Sequence, residues 1–204
     1  MRVAILSESP ADEIAVRILA DSILGLSTQL AVSHKIRSRG WPAVLNTLPA
    51  VIRQLHYTES ADGLIVVADS DDTPLHETHH DSEASVDCRL CQLRKKAVDV
   101  LSDLPAATFK VAIGIAVPAI EAWYLFPTDA RLTESTWRQH LGSGPRPDIR
   151  RNLKKKVYGT ELPSQTVENQ RAEDAAKQLI SNLHLFEQHF PNGFGPLAQA
   201  LRSW

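Results

Sequence analysis

The chain has 204 residues, a formal net charge of -2, 43% hydrophobic residues and 23% charged residues. This composition is typical of a globular protein with one sizeable core, and it excludes collagen-like and wholly disordered chains. No apolar run approaches the ~20 residues that span a bilayer, and the N-terminus turns polar too early for a signal peptide. We therefore expect a cytoplasmic protein without a membrane partner.

The first part of the chain predicts a strand, a helix and a weaker strand. Residues 2–7 (RVAILS) form a β-branched apolar run, which is typical of a strand. Ser9 is a suitable helix N-cap, Pro10 suits the first helical position, and Gly25 suits the C-terminal end. A weaker strand is predicted over residues 30–36.

The middle of the chain predicts two buried strands. Residues 63–68 (GLIVVA) and 109–117 (FKVAIGIAV) are apolar without alternation, which is typical of strands covered on both faces. A helix is predicted over residues 90–101 between them. Another helix precedes them and opens at Pro42, and Pro49 in its interior should kink or divide it.

The remaining segments are predicted to be helical, over residues 119–126, 146–158 and 171–190. Alternating strands and helices indicate an α/β sandwich with a mostly parallel central sheet. We assign residues 1–158 to one α/β domain and residues 159–204 to a helical C-terminal extension packed on it.

Acidic residues follow three of the predicted strands: Glu8, then Asp69 and Asp71, then Glu121. Parallel sheets place their functional crevice at the carboxyl ends of the strands, so these carboxylates should share one crevice. Side chains two residues apart in an extended segment point the same way, which would let Asp69 and Asp71 reach one ion. Oxygen ligands suit Mg²⁺ or Mn²⁺. Such residues also serve as helix caps and solubilising strand ends.

A polar insertion at about residues 73–92 contains both cysteines and three of the eight histidines. Two thiolates and two imidazoles complete a tetrahedral zinc shell, and such a closed site would pin the loop structurally. The histidine pair is either His76 with His80 or His79 with His80. A redox dithiol, surface residues without a metal, or a histidine serving the acidic site are the alternatives. The candidate zinc ligands are Cys88, Cys91, His76, His79 and His80.

Charge is segregated along the chain. Residues 59–87 carry nine acidic side chains and no Lys or Arg, whereas residues 146–156 carry six basic side chains and one acidic one. A basic helix opposite an acidic metal crevice suits a phosphodiester substrate, although a solvated face or a protein partner would also explain it. The candidate nucleic-acid-binding residues are Arg150, Arg151, Lys154, Lys155 and Arg39.

The order of these motifs resembles that of Toprim-like families over approximately residues 1–158. The segments are E-S-P-x-D-E at 8–13, D-S-D-D at 69–72 and V-P-x-x-E-A-W-Y-L at 117–125. The chain is most similar to small Toprim-like proteins of the DUF4276 type, and more distantly to the nuclease domains of the OLD family. The resemblance implies a Toprim-like, Rossmann-like sandwich.

The resemblance also implies a divalent metal held by a motif glutamate and a D-x-D pair, with Asp12 and Glu121 as ligand or water-orienting groups. Ser9 stands where these families usually carry glycine, and its Cβ would crowd a phosphate that approaches the backbone. A lysine of the basic stretch would stabilise the charge of the phosphate in the transition state. The candidate catalytic residues are Glu8, Asp69, Asp71, Glu121 and Lys154, of which Glu8, Asp69 and Asp71 would bind Mg²⁺ or Mn²⁺.

We therefore expect a metal-dependent nuclease that acts on DNA or RNA, of the kind found in phage-defence or mobile-element systems, with a protein partner from the same operon. The alternative is a non-catalytic, zinc-stabilised module that binds nucleic acid or a partner protein. A third interpretation is phosphoryl transfer on a small phosphate ester. The chain has no G-x-S-x-G, P-loop or G-x-G-x-x-G motif, so serine hydrolase, nucleotide triphosphatase and dinucleotide enzymes have no support.

Overall fold

The structure is a computed structural model that describes residues 1–31, 40–59, 61–105, 109–140 and 147–204. Its strands are β1 (Arg2–Leu6), β2 (Gln29–Leu30), β3 (Gly63–Asp69) and β4 (Lys110–Ala116). They form one sheet in the order β2-β1-β3-β4, and every pair in it is parallel. The predicted α/β class with a parallel central sheet is confirmed.

Helices occupy most of the remaining described chain. Within the described ranges, no helix combines the length and apolar character needed to cross a membrane. The described chain also contains a π-helical turn at Leu55–Glu59 and a 3-10 turn at Thr78–Asp81. The α-helices are α1 (Pro10–Leu24), α2 (Trp41–Gln54), α3 (Arg89–Ser102), α4 (Ile120–Leu125), α5 (Glu134–His140), α6 (Pro147–Tyr158), α7 (Gln165–Ile180), α8 (Leu183–His189) and α9 (Phe194–Arg202).

The sheet separates two buried hydrophobic clusters. Successive strand side chains point to opposite faces, so Val3 and Ile5 of β1 enter one cluster while Ala4 and Leu6 enter the other. The first cluster is completed by side chains of α1, α4, α7, α8 and α9, and the second by side chains of α2, α3 and α5. The result is a three-layer arrangement of helices, sheet and helices, with the ends of the strands at the edges of the layers.

Helix α1 begins and ends where its sequence predicts. The Ser9 hydroxyl accepts a hydrogen bond from the Asp12 amide at 3.3 Å, and Pro10 is the first helical residue. Gly25 closes the helix with a φ of 66°, the left-handed conformation that glycine adopts without a steric penalty. This tight start of α1 fixes Glu8 directly after β1.

The structure differs from the sequence prediction at α7 and α8, and it shows α2 undivided at Pro49. Pro49 does not divide α2, because Leu48, Val51 and Ile52 beside it are buried and their packing holds one continuous helix. The single helix predicted over residues 171–190 is instead α7 and α8, which are separated after Ile180. Helix α8 packs against α4, where the ring of Phe186 lies 5.5 Å from the Trp123 ring.

Strand β2 is shorter than predicted within the described chain. Only residues 29 and 30 of this part of the chain are in the strand, and both are exposed. Residues 32–39 of the predicted strand and its neighbourhood lie outside the described residues, and so does Arg39.

The outer edge of β4 is covered by the turn before α9. The Ile115 amide donates a hydrogen bond to the Gly193 carbonyl at 3.1 Å. The buried carboxylate of Glu134 accepts bonds from the backbone amides of Asn192 and Gly193, at 2.9 and 2.7 Å. The approach is close enough that a Cβ on Gly193 would lie 2.0 Å from the Ile115 carbonyl oxygen.

We expect Gly193→Ala to lower the free energy of unfolding by about 1–3 kcal/mol, because the added methyl group forces backbone apart. Gly195→Ala is the matched control, since its Cβ would meet nothing closer than 3.8 Å. The control should be as stable as the wild type or more so, because alanine suits a helix better than glycine. Urea unfolding measures both, and equal stability of the two variants would contradict the assigned packing.

Candidate functional site

Backbone hydrogen bonds tie the acidic side chains to the strand ends. Glu8 follows β1, and its Oε1 accepts a hydrogen bond from the amide of Asp69 at 3.0 Å. Asp69 ends β3, and its Oδ1 accepts a hydrogen bond from the amide of Ile120 at the start of α4, at 2.9 Å. These two bonds bring the ends of β1 and β3 and the beginning of α4 to one point.

Asp71 reaches the same point by a turn rather than by an extended segment. The Asp71 backbone has a φ of 46°, a left-handed conformation that is uncommon for residues other than glycine. Its amide donates to the Pro118 carbonyl and the Ser70 amide donates to the Ala116 carbonyl, each at 2.8 Å. Asp69 and Asp71 both accept hydrogen bonds from Arg150, and a left-handed turn at Asp71, rather than the two-residue period of a strand, brings them there.

Five carboxylates define what we call the acidic cluster. The structure brings together the residues predicted from three strand ends, although those residues are far apart in sequence. Most of them are buried, with exposed fractions of 5% for Asp69, 5% for Glu121 and 7% for Asp12. The acidic cluster consists of Glu8, Asp12, Asp69, Asp71 and Glu121.

Arg150 of α6 inserts its guanidinium into the acidic cluster. Its Nη1 donates a hydrogen bond to Asp71 Oδ1 at 2.5 Å, and its Nη2 donates one to Asp69 Oδ2. The same Nη2 lies 3.9 Å from Glu8 Oε2. The sequence predicted Arg150 as a nucleic-acid-binding residue, and the structure places it as the counter-ion of three carboxylates.

Arg89 is a second arginine at the acidic cluster, and the sequence analysis missed it. Its Nη1 donates to the Asp69 carbonyl oxygen at 2.5 Å and to Asp71 Oδ2 at 2.8 Å. The guanidinium also lies over the Trp41 ring, 4.7 Å from the ring centroid. Arg89 lies inside the C-x-x-C motif. That motif predicts a role for the two cysteines and none for the arginine between them.

Glu121 has one carboxylate oxygen without a described partner. Its Oε1 lies 4.0 Å from Lys154 Nζ, whereas the buried Oε2 has no hydrogen-bond partner among the described residues. Asp12 differs, because its Oδ1 accepts a hydrogen bond from the Tyr124 hydroxyl at 3.3 Å. The acidic cluster thus keeps an unsatisfied acceptor in a buried position.

Burial raises the pKa of four carboxyls in the acidic cluster, those of Glu8, Asp12, Asp69 and Glu121. The pKa of Asp69 lies well above its usual range, because desolvation and the charges of Glu8 and Glu121 both disfavour its ionised form. Burial likewise raises the pKa of Glu8 and Glu121, and it raises that of Asp12 to about 7. The cluster therefore favours additional positive charge, supplied by protons or by a cation.

Two of the predicted nucleic-acid-binding residues point away from the acidic cluster. Arg151 Nε lies 3.3 Å from Glu161 Oε2, and Lys155 Nζ lies 2.6 Å from Glu161 Oε1. Helix α6 therefore directs Arg150 and Lys154 toward the carboxylates, and Arg151 and Lys155 toward Glu161.

A second centre lies where the 3-10 turn meets the start of α3. His76, His80, Cys88 and Cys91, which we call the His/Cys group, have ligand atoms that all lie within 4.8 Å of one another. His76 Nδ1 is 3.8 Å from Cys88 Sγ and 3.6 Å from Cys91 Sγ. Tetrahedral zinc with its usual bond lengths places nitrogen and sulfur about 3.5 Å apart. The His/Cys group could therefore hold a metal such as zinc.

The surroundings of His76 resemble those of a zinc ligand. Its Nε2 lies 3.2 Å from Asp81 Oδ1, which also accepts a hydrogen bond from Arg94 at 2.7 Å. A carboxylate on the second ring nitrogen orients the first one toward a metal ion. His79, the third candidate, lies outside the His/Cys group, and its exposed ring is 3.4 Å from Glu77 Oε2.

No family model, curated protein or solved structure matches the chain. The chemistry of the two centres therefore has to follow from their own residues. The His/Cys group offers four nitrogen and sulfur ligands in a closed shell, and the acidic cluster offers oxygen ligands beside a basic helix.

We expect purified protein to contain about one zinc ion per chain, because four protein ligands complete one shell. Cys88→Ser and His80→Ala should each lower the zinc content and the free energy of unfolding. His79→Ala is the matched control, since it removes a neighbouring imidazole that lies outside the group. Elemental analysis measures the zinc content of each variant, and thermal unfolding measures its stability. Zinc loss in His79→Ala alone would contradict the assignment of the zinc ligands.

Proposed function

We propose that the chain is a divalent-metal-dependent nuclease with a Toprim-like fold. The observation that carries this proposal is the acidic cluster, in which buried carboxylates from three strand ends meet and Glu121 keeps an unpartnered oxygen. In this proposal Glu8, Asp69 and Asp71 hold Mg²⁺ or Mn²⁺. Hard oxygen ligands suit such ions, because a dication offsets the repulsion between the carboxylates.

The proposed reaction is hydrolysis of a phosphodiester, in which the oxygen of water bonds to phosphorus, the P–O bond to the leaving group breaks, and the leaving oxygen takes a proton from solvent water. A bound Mg²⁺ or Mn²⁺ would polarise the phosphate and lower the pKa of the attacking water. Glu121 and Asp12 would orient that water and accept its proton, since their carboxyls lie beside the metal-binding carboxylates. Lys154, 4.0 Å from Glu121, would then balance the charge that develops on the phosphate.

Arg150 has two roles in this proposal. Without a divalent ion, its guanidinium neutralises Asp69, Asp71 and Glu8. A divalent ion held by those carboxylates would compete with the guanidinium, which would stay close to the acidic cluster because Arg150 belongs to α6. A displaced arginine beside a metal site is well suited to bind the phosphate bidentately.

The DNA or RNA substrate would lie across α6 and the acidic cluster. Helix α6 supplies Arg150 and Lys154 on the face that meets the carboxylates, so phosphate contacts and cleavage would occur at one place. This arrangement fits phosphate recognition without base readout, which predicts binding that weakens strongly with salt.

A second candidate function is a zinc-stabilised binding module without catalysis. The observation that favours it is the pairing of Asp69 and Asp71 with Arg150 and Arg89, which neutralises the D-x-D pair without any metal ion. Ser9, at a position where Toprim-like families usually carry glycine, also favours this second candidate. In that case the arginines complete a structural ion-pair network, and the module would bind nucleic acid or a protein.

Cleavage assays separate the two candidates. We expect Mg²⁺- or Mn²⁺-dependent cleavage of single- or double-stranded DNA or RNA that EDTA abolishes. Asp69→Asn and Asp71→Asn should each lower the rate by about 100-fold or more, because each removes a charge on which the metal ion depends. Asp72→Asn, the same change at the exposed neighbouring aspartate, is the matched control. Folded, zinc-loaded protein that cuts no substrate with either metal would favour the module.

Replacing Arg150 tests its exchange with a metal ion. We expect Arg150→Ala to raise the affinity for Mn²⁺ by about tenfold, or roughly 1.4 kcal/mol, because a competing cation is removed. The same change should weaken nucleic-acid binding. Arg151→Ala on the Glu161 face of α6 is the matched control. Electron paramagnetic resonance titration of Mn²⁺ measures the affinity, and weaker Mn²⁺ binding in Arg150→Ala would contradict the exchange.

A further inference from the structure

The His/Cys group and the acidic cluster are adjacent through one residue. Cys88 precedes α3, Arg89 is its first residue, and Cys91 lies two residues after Arg89. The two thiols of the His/Cys group therefore bracket Arg89 in the chain. The Arg89 side chain leaves this turn in the direction of β3 and contacts the D-x-D segment.

The side chain of Arg89 is fixed at its far end by three contacts. Nη1 donates both to the Asp69 carbonyl oxygen and to Asp71 Oδ2, at 2.5 and 2.8 Å. The face of the guanidinium lies on the Trp41 ring. Only 10% of the side chain is exposed, so it has little freedom to take another position. The position of the Arg89 side chain therefore also depends on the backbone that carries it.

The turn that carries Arg89 is packed in the second hydrophobic cluster, where Cys88, Leu90 and Cys91 are buried. The side chain of Cys88 does not cap α3 with a hydrogen bond. The polar loop before it is joined to this turn by a hydrogen bond from Gln92 Nε2 to the Val86 carbonyl at 2.7 Å, and by the 3.6 and 3.8 Å approaches of His76 to the thiols. Four metal–ligand bonds would hold residues 88 and 91 to this loop and so fix the backbone on both sides of Arg89.

We propose that the metal centre of the His/Cys group positions Arg89, and that Arg89 in turn holds the Asp71 carboxylate in the acidic cluster. Arg89 is a positioning residue, because its guanidinium acts on Asp71 and not on a reacting atom. Asp71 needs such support because its backbone is in the left-handed conformation, which an aspartate does not favour strongly by itself. The inference rests on the zinc centre proposed above, and its effect on divalent-ion binding rests on the proposed nuclease site.

Arg89→Ala in zinc-loaded protein tests the positioning role. Lys95→Ala is the matched control, since Lys95 is a cation of the same helix whose partner is Asp99, at 2.9 Å. The Co²⁺ form of each variant, read by its thiolate absorption bands, reports whether the His/Cys group is intact. Amide hydrogen exchange of residues 69–73 reports on the D-x-D segment, and titration with Mn²⁺ reports on the acidic cluster.

We expect Arg89→Ala to keep the Co²⁺ spectrum, to speed exchange at the amides of Ser70 and Asp71, and to weaken Mn²⁺ binding by about tenfold or more. Removing zinc from the wild type should speed the same amides, and restoring zinc should slow them again. Lys95→Ala should match the wild type in all three measurements. If the zinc-free protein unfolds, the measurements on zinc-loaded Arg89→Ala alone decide the inference.

Unchanged exchange over residues 69–73 in Arg89→Ala overturns the inference, and so does a zinc-free, folded protein whose exchange there equals that of the zinc form. A wild type that binds zinc but no Mn²⁺ refutes the proposed nuclease site instead, while the exchange data still decide the role of Arg89. A wild type that binds no zinc refutes the metal centre and the inference with it.

Discussion

Mutual repulsion between buried carboxylates is the constraint on which the arrangement of this molecule depends. A parallel sheet with helices on both faces brings the ends of β1, β3 and β4 together, and each of these ends is followed by an acidic residue. Removing such groups from water is costly unless they are paired. Arg150 and Arg89 supply the pairing, and they come from helices α6 and α3, which both follow the D-x-D segment in the chain.

The two arginines are attached to the rest of the structure in different ways. Arg89 is buried against Trp41 and begins a helix at the His/Cys group, so it belongs to the fixed part of the site. The side chain of Arg150 is 40% exposed and comes from a helix that borders the crevice. A cation that enters the acidic cluster would displace the exposed arginine more readily than the buried one. This difference suits a site in which one side is rigid and the other exchanges.

Much of the fold could be predicted from the sequence because its signals are local. The apolar runs of β3 and β4 and the Ser9 cap with Gly25 define their elements without reference to the rest of the chain. The break between α7 and α8 could not be predicted from local signals, because no proline or glycine lies between Ile180 and Leu183. The same holds for Pro49, whose effect on α2 depends on the burial of its neighbours.

The candidate site shows the same division. Topology alone predicts that Glu8, Asp69 and Glu121 meet, since strand ends in a parallel sheet meet. The C-x-x-C spacing with nearby histidines likewise predicts a metal site. Which arginines neutralise the carboxylates depends on the directions of side chains in space, and a sequence does not contain these directly. Arg89 was therefore missed. Arg150 was predicted to bind the phosphates of a nucleic acid, whereas in the structure it pairs with carboxylates.

The covered edge of β4 has a consequence for how the molecule can associate with others. An exposed edge strand is a template on which a strand of another chain can pair, which leads to aggregation. At Ile115 that position is already taken by the carbonyl of Gly193, and Glu134 holds the turn in place from behind. An incoming strand would have to expel this turn, together with the buried carboxylate that anchors it, before it could extend the sheet on that side.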